Sequence, residues 1–257
     1  MVTEKGSLEQ QIDAKIRAVM AGQVTVLPPA EAVGADDLAR MIDHTLLKPD
    51  ATEDQVKALC QEAIDVHFAA VCVNPTYVAL CHELLDGTDI EIASVVGFPL
   101  GATLPEVKAY EAQRTIAAGA GEIDMVLNVG ALKSQAYELV SQDVAAVAQA
   151  CHARGAILKV IIEAALLTDE QKVAACFLSQ RAGADYVKTS TGFGPGGARV
   201  EDVALMRRTV GPELGIKAAG GIRTYEVACA MIGAGATRIG ASAGVGLVRE
   251  ARTGEAI

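Results

Sequence analysis

The sequence predicts an α/β chain closed into a (β/α)8 TIM barrel with an extra N-terminal helical segment, and three observations carry that prediction. Eight short apolar runs rich in β-branched residues alternate with helical segments. Three times, in "AGAGEIDMV", "RAGADYVKT" and "GAGATRIGA", a helix ends at an Ala-Gly-Ala and the chain enters a strand, a weak internal repeat. No dinucleotide fingerprint accompanies the eight similar units, which favours closure over the open doubly wound sheet that shares the alternation.

Residues 1 to about 40 stand outside the eight units as a helical extension. "LEQQIDAKIRAVMAG" reads as an amphipathic helix covering the bottom of the barrel, and "VLPPAEAVGAD" as its connector. The barrel is expected over 41–257 as one domain, since no linker or charge block divides it. Its strands are expected in "RMIDHTLL", "FAAVCVNP", "IEIASVVGFP", "GEIDMVLNVG", "AILKVIIEA", "ADYVKTST", "GIKAAGG" and "TRIGAS". Between them, Thr52-x-x-Gln55, Thr103-x-x-Glu106 and Thr168-x-x-Gln171 match capping boxes, while Asn74 before Pro75, and Thr224, match N-caps.

A formal charge of −10 repels nucleic acid and anionic membrane, and no Lys/Arg-rich tract opposes it. Apolar residues make up 51% while aromatics are only 4% and tryptophan is absent, which suits many small stacked layers. The polar start "MVTEKGSLEQQ" does not resemble a signal peptide, and "AILKVIIEAALL" is interrupted by Lys159 and Glu163, so a cytoplasmic chain is expected. The six cysteines are scattered without C-x-x-C spacing and the four histidines form no ligand pair. Reduced cysteines and no metal are expected.

The candidate chemistry lies on lysines in strands. Lys188 in "YVKTSTG" and Lys217 in "GIKAAGG" sit near strand ends with their side chains directed inward. Two ammonium groups about 4 Å apart repel by roughly 4 kcal/mol at an effective dielectric of about 20, enough to keep one amine neutral. A neutral amine is what attacks a carbonyl to form a Schiff base. Five residues beyond the repeated glycines Gly119, Gly183 and Gly235 stand Asp124, Lys188 and Gly240, so these three share an orientation, and Asp124 offers a counter-charge and proton relay. A structural ion-pair network is the alternative reading of this set. Lys159 fits an ion pair with Glu163 or Asp124 as well as it fits a catalytic role. On this reading, replacing Lys188 or Lys217 relieves a like-charge conflict and leaves stability little changed or raised.

Small-residue loops follow the last three strands: "STGFGPGG", "AAGGIR" and "IGASAG". They supply free backbone N–H groups and the entry to a final helix, where barrels commonly hold a phosphate.

Taken in order, "IDHTLLKPDAT", "AVCVNP", "VVGFPLGAT", "EIDMVLN", "LKVIIE", "DYVKTSTGFGPGGA" and "IKAAGGIRT" resemble the 2-deoxyribose-5-phosphate aldolase family over about residues 38 to 248. The resemblance implies a Schiff base on Lys188, perturbed by Lys217, with Asp124 completing the relay. It implies that Asp43, Thr45 and Cys72 line the substrate pocket, and that Thr191, Gly192, Gly220, Gly221, Gly240 and Ser242 lie on phosphate-binding loops. It further implies reversible cleavage of 2-deoxy-D-ribose 5-phosphate to acetaldehyde and D-glyceraldehyde 3-phosphate in deoxynucleoside breakdown, no cofactor, and a homodimer. Each role has a plainer counterpart: Cys72 as packing, Asp43 with Thr45 as a brace of the first turn, Ser242 as a helix N-cap. The chain departs from the family at Ala164, Ala243 and Phe193, and by ending in "ARTGEAI" without a C-terminal tyrosine. A Schiff-base aldolase for other aldehydes and a silent sugar-phosphate binder are the rival functions.

Overall fold

All eight apolar runs form strands, and the strands close on themselves. The computed structural model describes residues 6–22 and 33–254. The sequence-predicted connector lies partly outside them, as do residues 255–257 of "ARTGEAI". In chain order the elements are α1 (Leu8–Ala21), α2 (Ala35–Ala39), β1 (Ile42–Leu46), α3 (Glu53–Val66), β2 (Ala70–Val73), α4 (Val78–Leu84), β3 (Glu91–Val96) and α5 (Pro105–Ala117). They continue with β4 (Glu122–Val126), α6 (Val129–Lys133), α7 (Tyr137–His152), β5 (Ile157–Ile161), α8 (Asp169–Arg181), β6 (Tyr186–Lys188), α9 (Val200–Val210), β7 (Gly215–Ala219), α10 (Tyr225–Gly233), β8 (Arg238–Ala241) and α11 (Gly244–Thr253). Each strand pairs in parallel with the next, and β8 returns to β1 through Asp43 beside Gly240.

Every strand buries both faces, which is why the runs read as nearly continuous apolar segments. Outward residues such as Val71, Ile123, Val160, Val187, Ile216 and Ile239 join the core beneath the helices. Each such Val, Leu or Ile contributes about 1.5–3 kcal/mol by leaving water. The inward residues divide the barrel in two. On the β1–β3 side Leu47, Ala70, Cys72, Ala93 and Val95 form a small apolar cluster. On the β4–β8 side the inward positions include Glu122, Asp124, Lys159, Lys188, Lys217 and Arg238, joined by Asp43 from β1.

Capping boxes form at Thr52 and Thr168, where side chain and third-residue glutamine satisfy each other's exposed N–H groups. The box expected at Thr103 does not form. Pro105 occupies the first helical position of α5 with Leu104 as N-cap, because proline's fixed φ and missing N–H suit that place. Thr224 caps α10 through its side chain, whereas Asn74 stands before its turn but donates instead to the Leu47 carbonyl at 3.2 Å.

The N-terminal helix also departs from expectation. α1 lies against the outer helices α8 and α9, with Val19 packed on Val173 and Leu205, and Arg181 bonded to Gln11 at 2.6 Å. Its apolar stripe meets a groove between two neighbouring helices on the barrel wall instead of the barrel's lower end.

Candidate active site

The two-residue period of the strands brings the charged side chains together. β4 turns Glu122 and Asp124 inward, β5 Lys159, β6 Lys188, β7 Lys217, β8 Arg238 and β1 Asp43. In register Lys188 neighbours Lys217, and Lys217 neighbours Arg238. Asp124 accepts from all three lysines: Lys188 and Lys217 each reach Oδ2 at 2.7 Å, and Lys159 reaches Oδ1 at 2.9 Å. Lys217 also donates to Asp43, and Lys159 to Glu122 at 2.5 Å. Lys159 therefore takes Asp124 and not Glu163, which leaves the inward alternation by adopting a left-handed backbone at φ 51°.

Environment separates the lysines. Burial pushes the Lys217 and Lys159 ammonium groups down, but neighbouring carboxylates outweigh it and hold both above the usual range. For Lys188, burial dominates; Lys217 adds to it, and Asp124 only partly offsets it, so the amine lies below its ordinary value. Burial would raise the Asp124 carboxyl, yet Lys159, Lys188 and Lys217 keep it well below the carboxylate range. Lys217 is thus a satisfied cation with two carboxylate partners. The expectation that its removal would relieve strain gives way, because a Lys217→Leu chain would leave Asp43 and Asp124 each short of a partner.

Lys188 borders a cavity of about 430 Å³ that opens at the carboxyl ends of the strands. Thr45, Thr191, Gly192, Gly220, Gly221, Gly240 and Ser242 line it too. The Thr45 hydroxyl donates to the Asp43 carbonyl at 2.8 Å, so it braces its own turn while facing the cavity. Thr191 donates to Glu163, and its hydroxyl accepts the Phe193 N–H at 3.0 Å, tying the β6 loop to the end of β5. Gly220 and Gly221 have φ of 92° and 79°, a backbone course that favours glycine. At Gly240 a Cβ would come within 3.0 Å of the Lys217 Cε, so glycine there makes room for the lysine. Ser242 is exposed and does not cap α11. Ala243 holds the N-cap position with no side-chain oxygen to offer.

Asp43 and Cys72 lie elsewhere than a cavity wall. Asp43 is fully buried among Lys217, Arg238 and Lys159, below the cavity floor. Cys72 is fully buried in the apolar cluster, adding no surface to the cavity, and burial raises its thiol pKa. All six cysteines are buried and unbridged. Among the described residues no three His, Cys, Asp or Glu side chains stand where they can hold a metal ion.

Four charged residues absent from the sequence reading belong to the site. Lys48 and Arg223 line the cavity from the ends of β1 and β7. Glu122 and Arg238 lie two residues before Asp124 and Gly240, and extending the same alternation by one step would have found them. Of the family departures, Phe193 stacks edge-on against Phe98 at 5.3 Å on the cavity rim, and Ala164 is buried in the turn after β5.

The family described as DeoC/LacD family aldolase matches residues 38–250. Curated deoxyribose-phosphate aldolases of Halalkalibacterium halodurans and Thermococcus gammatolerans are 60% and 58% identical to the chain. The first match covers 84% of this chain and 96% of the relative, the second 85% and 98%. Among solved structures, a Coccidioides immitis protein is 44% identical with a TM-score of 0.89, covering 96% of this chain and 99% of its own. The tetrameric deoxyribose phosphate aldolase of Aeropyrum pernix is 34% identical with a TM-score of 0.81 and the same coverages.

Proposed function

The chain belongs to the DeoC/LacD aldolase family, and from that premise we propose that it cleaves 2-deoxy-D-ribose 5-phosphate reversibly through an imine on Lys188. One observation carries the mechanism. Of the three lysines gathered on Asp124, Lys188 alone both borders the cavity and has its amine pushed below the ordinary range.

In the cleavage direction the neutral Lys188 Nζ adds to the aldehyde carbon of the open-chain sugar, and loss of water leaves a protonated imine. A proton leaves the C3 hydroxyl, the C2–C3 bond breaks, and its electron pair moves into the imine to give an enamine. Glyceraldehyde 3-phosphate departs. Protonation of the enamine carbon and hydrolysis release acetaldehyde and restore the amine. Lys217 and Asp124, bonded to each other beside Lys188, are the groups suited to move these protons. The imine itself is the electron sink, so the scheme calls for no metal or cofactor.

The phosphate is read onto Gly220, Gly221, Ser242 and the open N-terminus of the ten-residue α11, with Arg223 and Lys48 supplying positive charge. Arg223→Ala is expected to raise KM for the phosphorylated sugar by about tenfold, while trapping of acetaldehyde on Lys188 stays near wild type. Steady-state kinetics and the adduct yield test this together.

Trapping with acetaldehyde and borohydride, followed by peptide mass spectrometry, tests the central reading. An adduct on Lys188 together with turnover of the sugar phosphate supports it. Sugar phosphate binding with no adduct would favour the silent-binder reading, and an adduct with preference for other aldehydes would favour a different aldolase. The proposed setting is cytoplasmic deoxynucleoside breakdown; among the described residues no helix is long and apolar enough to cross a membrane. The proposed assembly is a homodimer, which light scattering separates from the tetramer described for the Aeropyrum pernix relative.

A further inference from the structure

Beneath the catalytic lysine the buried charges form a closed circuit. Asp124 Oδ2 meets Lys217 at 2.7 Å, and Lys217 meets Asp43. Asp43 Oδ1 meets Arg238 at 2.6 Å, Arg238 meets Glu122 at 3.2 Å, Glu122 meets Lys159 at 2.5 Å, and Lys159 returns to Asp124 at 2.9 Å. Anion and cation alternate throughout, and the six formal charges cancel. Lys188 joins this ring only through the Asp124 oxygen that already serves Lys217.

We propose that Glu122 and Arg238 are positioning residues for the imine chemistry: they close a neutral ring that leaves Lys188, of the four cations in this buried cluster, the one without an anion of its own, and so set its protonation. The inference rests on the assignment of the imine to Lys188. Neither residue borders the cavity, and both act through charge. The Arg238 guanidinium also lies 5.9 Å from the centre of the Tyr186 ring, within cation–π range.

Removing one member unbalances the ring in a direction set by its sign. Arg238→Gln leaves an excess negative charge, which favours the ammonium form of Lys188 and moves the onset of imine formation to higher pH. Glu122→Gln leaves an excess positive charge, which favours the free amine and moves the onset to lower pH. At these separations each shift is expected to be about one pH unit. The other groups facing Lys188 are unchanged in both variants. Beyond Asp124 and Lys217, they are the Cys72 thiol from β2, and Lys48 and Arg223, which share the cavity with Lys188.

The experiment follows the rate of imine formation with acetaldehyde across about pH 5 to 10, quenched with cyanoborohydride and read by mass spectrometry at Lys188. Wild type, both single variants and the Glu122→Gln/Arg238→Gln double variant are compared. Opposite shifts in the single variants, with the double variant back near the wild-type midpoint, support the ring. Shifts in the same direction, absent shifts, or a double variant no nearer wild type than the singles overturn it, since loss of packing alone has no sign. Should a single variant fail to fold, Asp43→Asn and Lys159→Met remove one anion and one cation of the same ring and take its place. If wild type forms no imine at Lys188, the aldolase reading falls and the ring role with it. If wild type forms the imine but the midpoints do not separate, only the ring role falls.

Discussion

A Lys188→Ala chain is expected to lose turnover of deoxyribose phosphate by on the order of 10⁴-fold or more while remaining folded. On the proposed imine mechanism the loss is covalent: of the three lysines gathered on Asp124, Lys188 alone borders the cavity with its amine below the ordinary range, and Lys217 and Lys159 are each held as ammonium ions by neighbouring carboxylates. Stability should change by less than about 1 kcal/mol. Burial already disfavours the charged Lys188, and after its removal Asp124 keeps Lys159 and Lys217 as partners. Activity, borohydride trapping and a thermal melt on the same preparation check all of this. A variant that still traps acetaldehyde at wild-type yield would move the imine to another residue.

Asp124→Asn should fail in the opposite manner, by destabilising the barrel. Three buried ammonium groups share that carboxylate, and removing one partner from a buried ion pair costs about 3–5 kcal/mol. Turnover should fall by about 10²–10⁴-fold as the proton relay is lost. The pH dependence has a definite sign. The folded Asp124 and Asp43 carboxyls lie below their unfolded value of about 3.9, so their contribution is fully present above that value. It is lost as pH falls through the folded values. Lys159 and Lys217 lie above about 10.4, so theirs is present below that pH and lost as pH rises through the folded values. In Asp124→Asn the acid limb of stability should flatten and the alkaline loss should begin at lower pH, as denaturant melts across pH would show.

Strand positions were legible because burial on both faces leaves an uninterrupted apolar run, and helix starts because a cap must satisfy N–H groups locally. The Thr103 box failed because Pro105, whose fixed φ and missing N–H suit the first helical position, set the start one residue later at Leu104. α1 was visible as a helix from its stripe, but a stripe does not say which surface covers it, and the groove between α8 and α9 did.

At the site, the sequence by itself determined that Asp124, Lys188 and Gly240 share a face, because the count from a repeated glycine to an inward strand position is local geometry. It determined the two lysines at strand ends and the small-residue loops above them for the same reason. Only the tertiary structure decided how the charges are shared: that Lys159 joins Asp124, that Glu163 turns away to hold Thr191, and that Arg238 reaches Asp43 on the neighbouring strand β1 and Glu122 across the barrel. Those partners lie far apart in the chain, and a buried ammonium takes whichever carboxylate closure brings within reach. Strand period sets the direction of each side chain, while barrel closure sets its distances, and on distances the protonation of Lys188 depends.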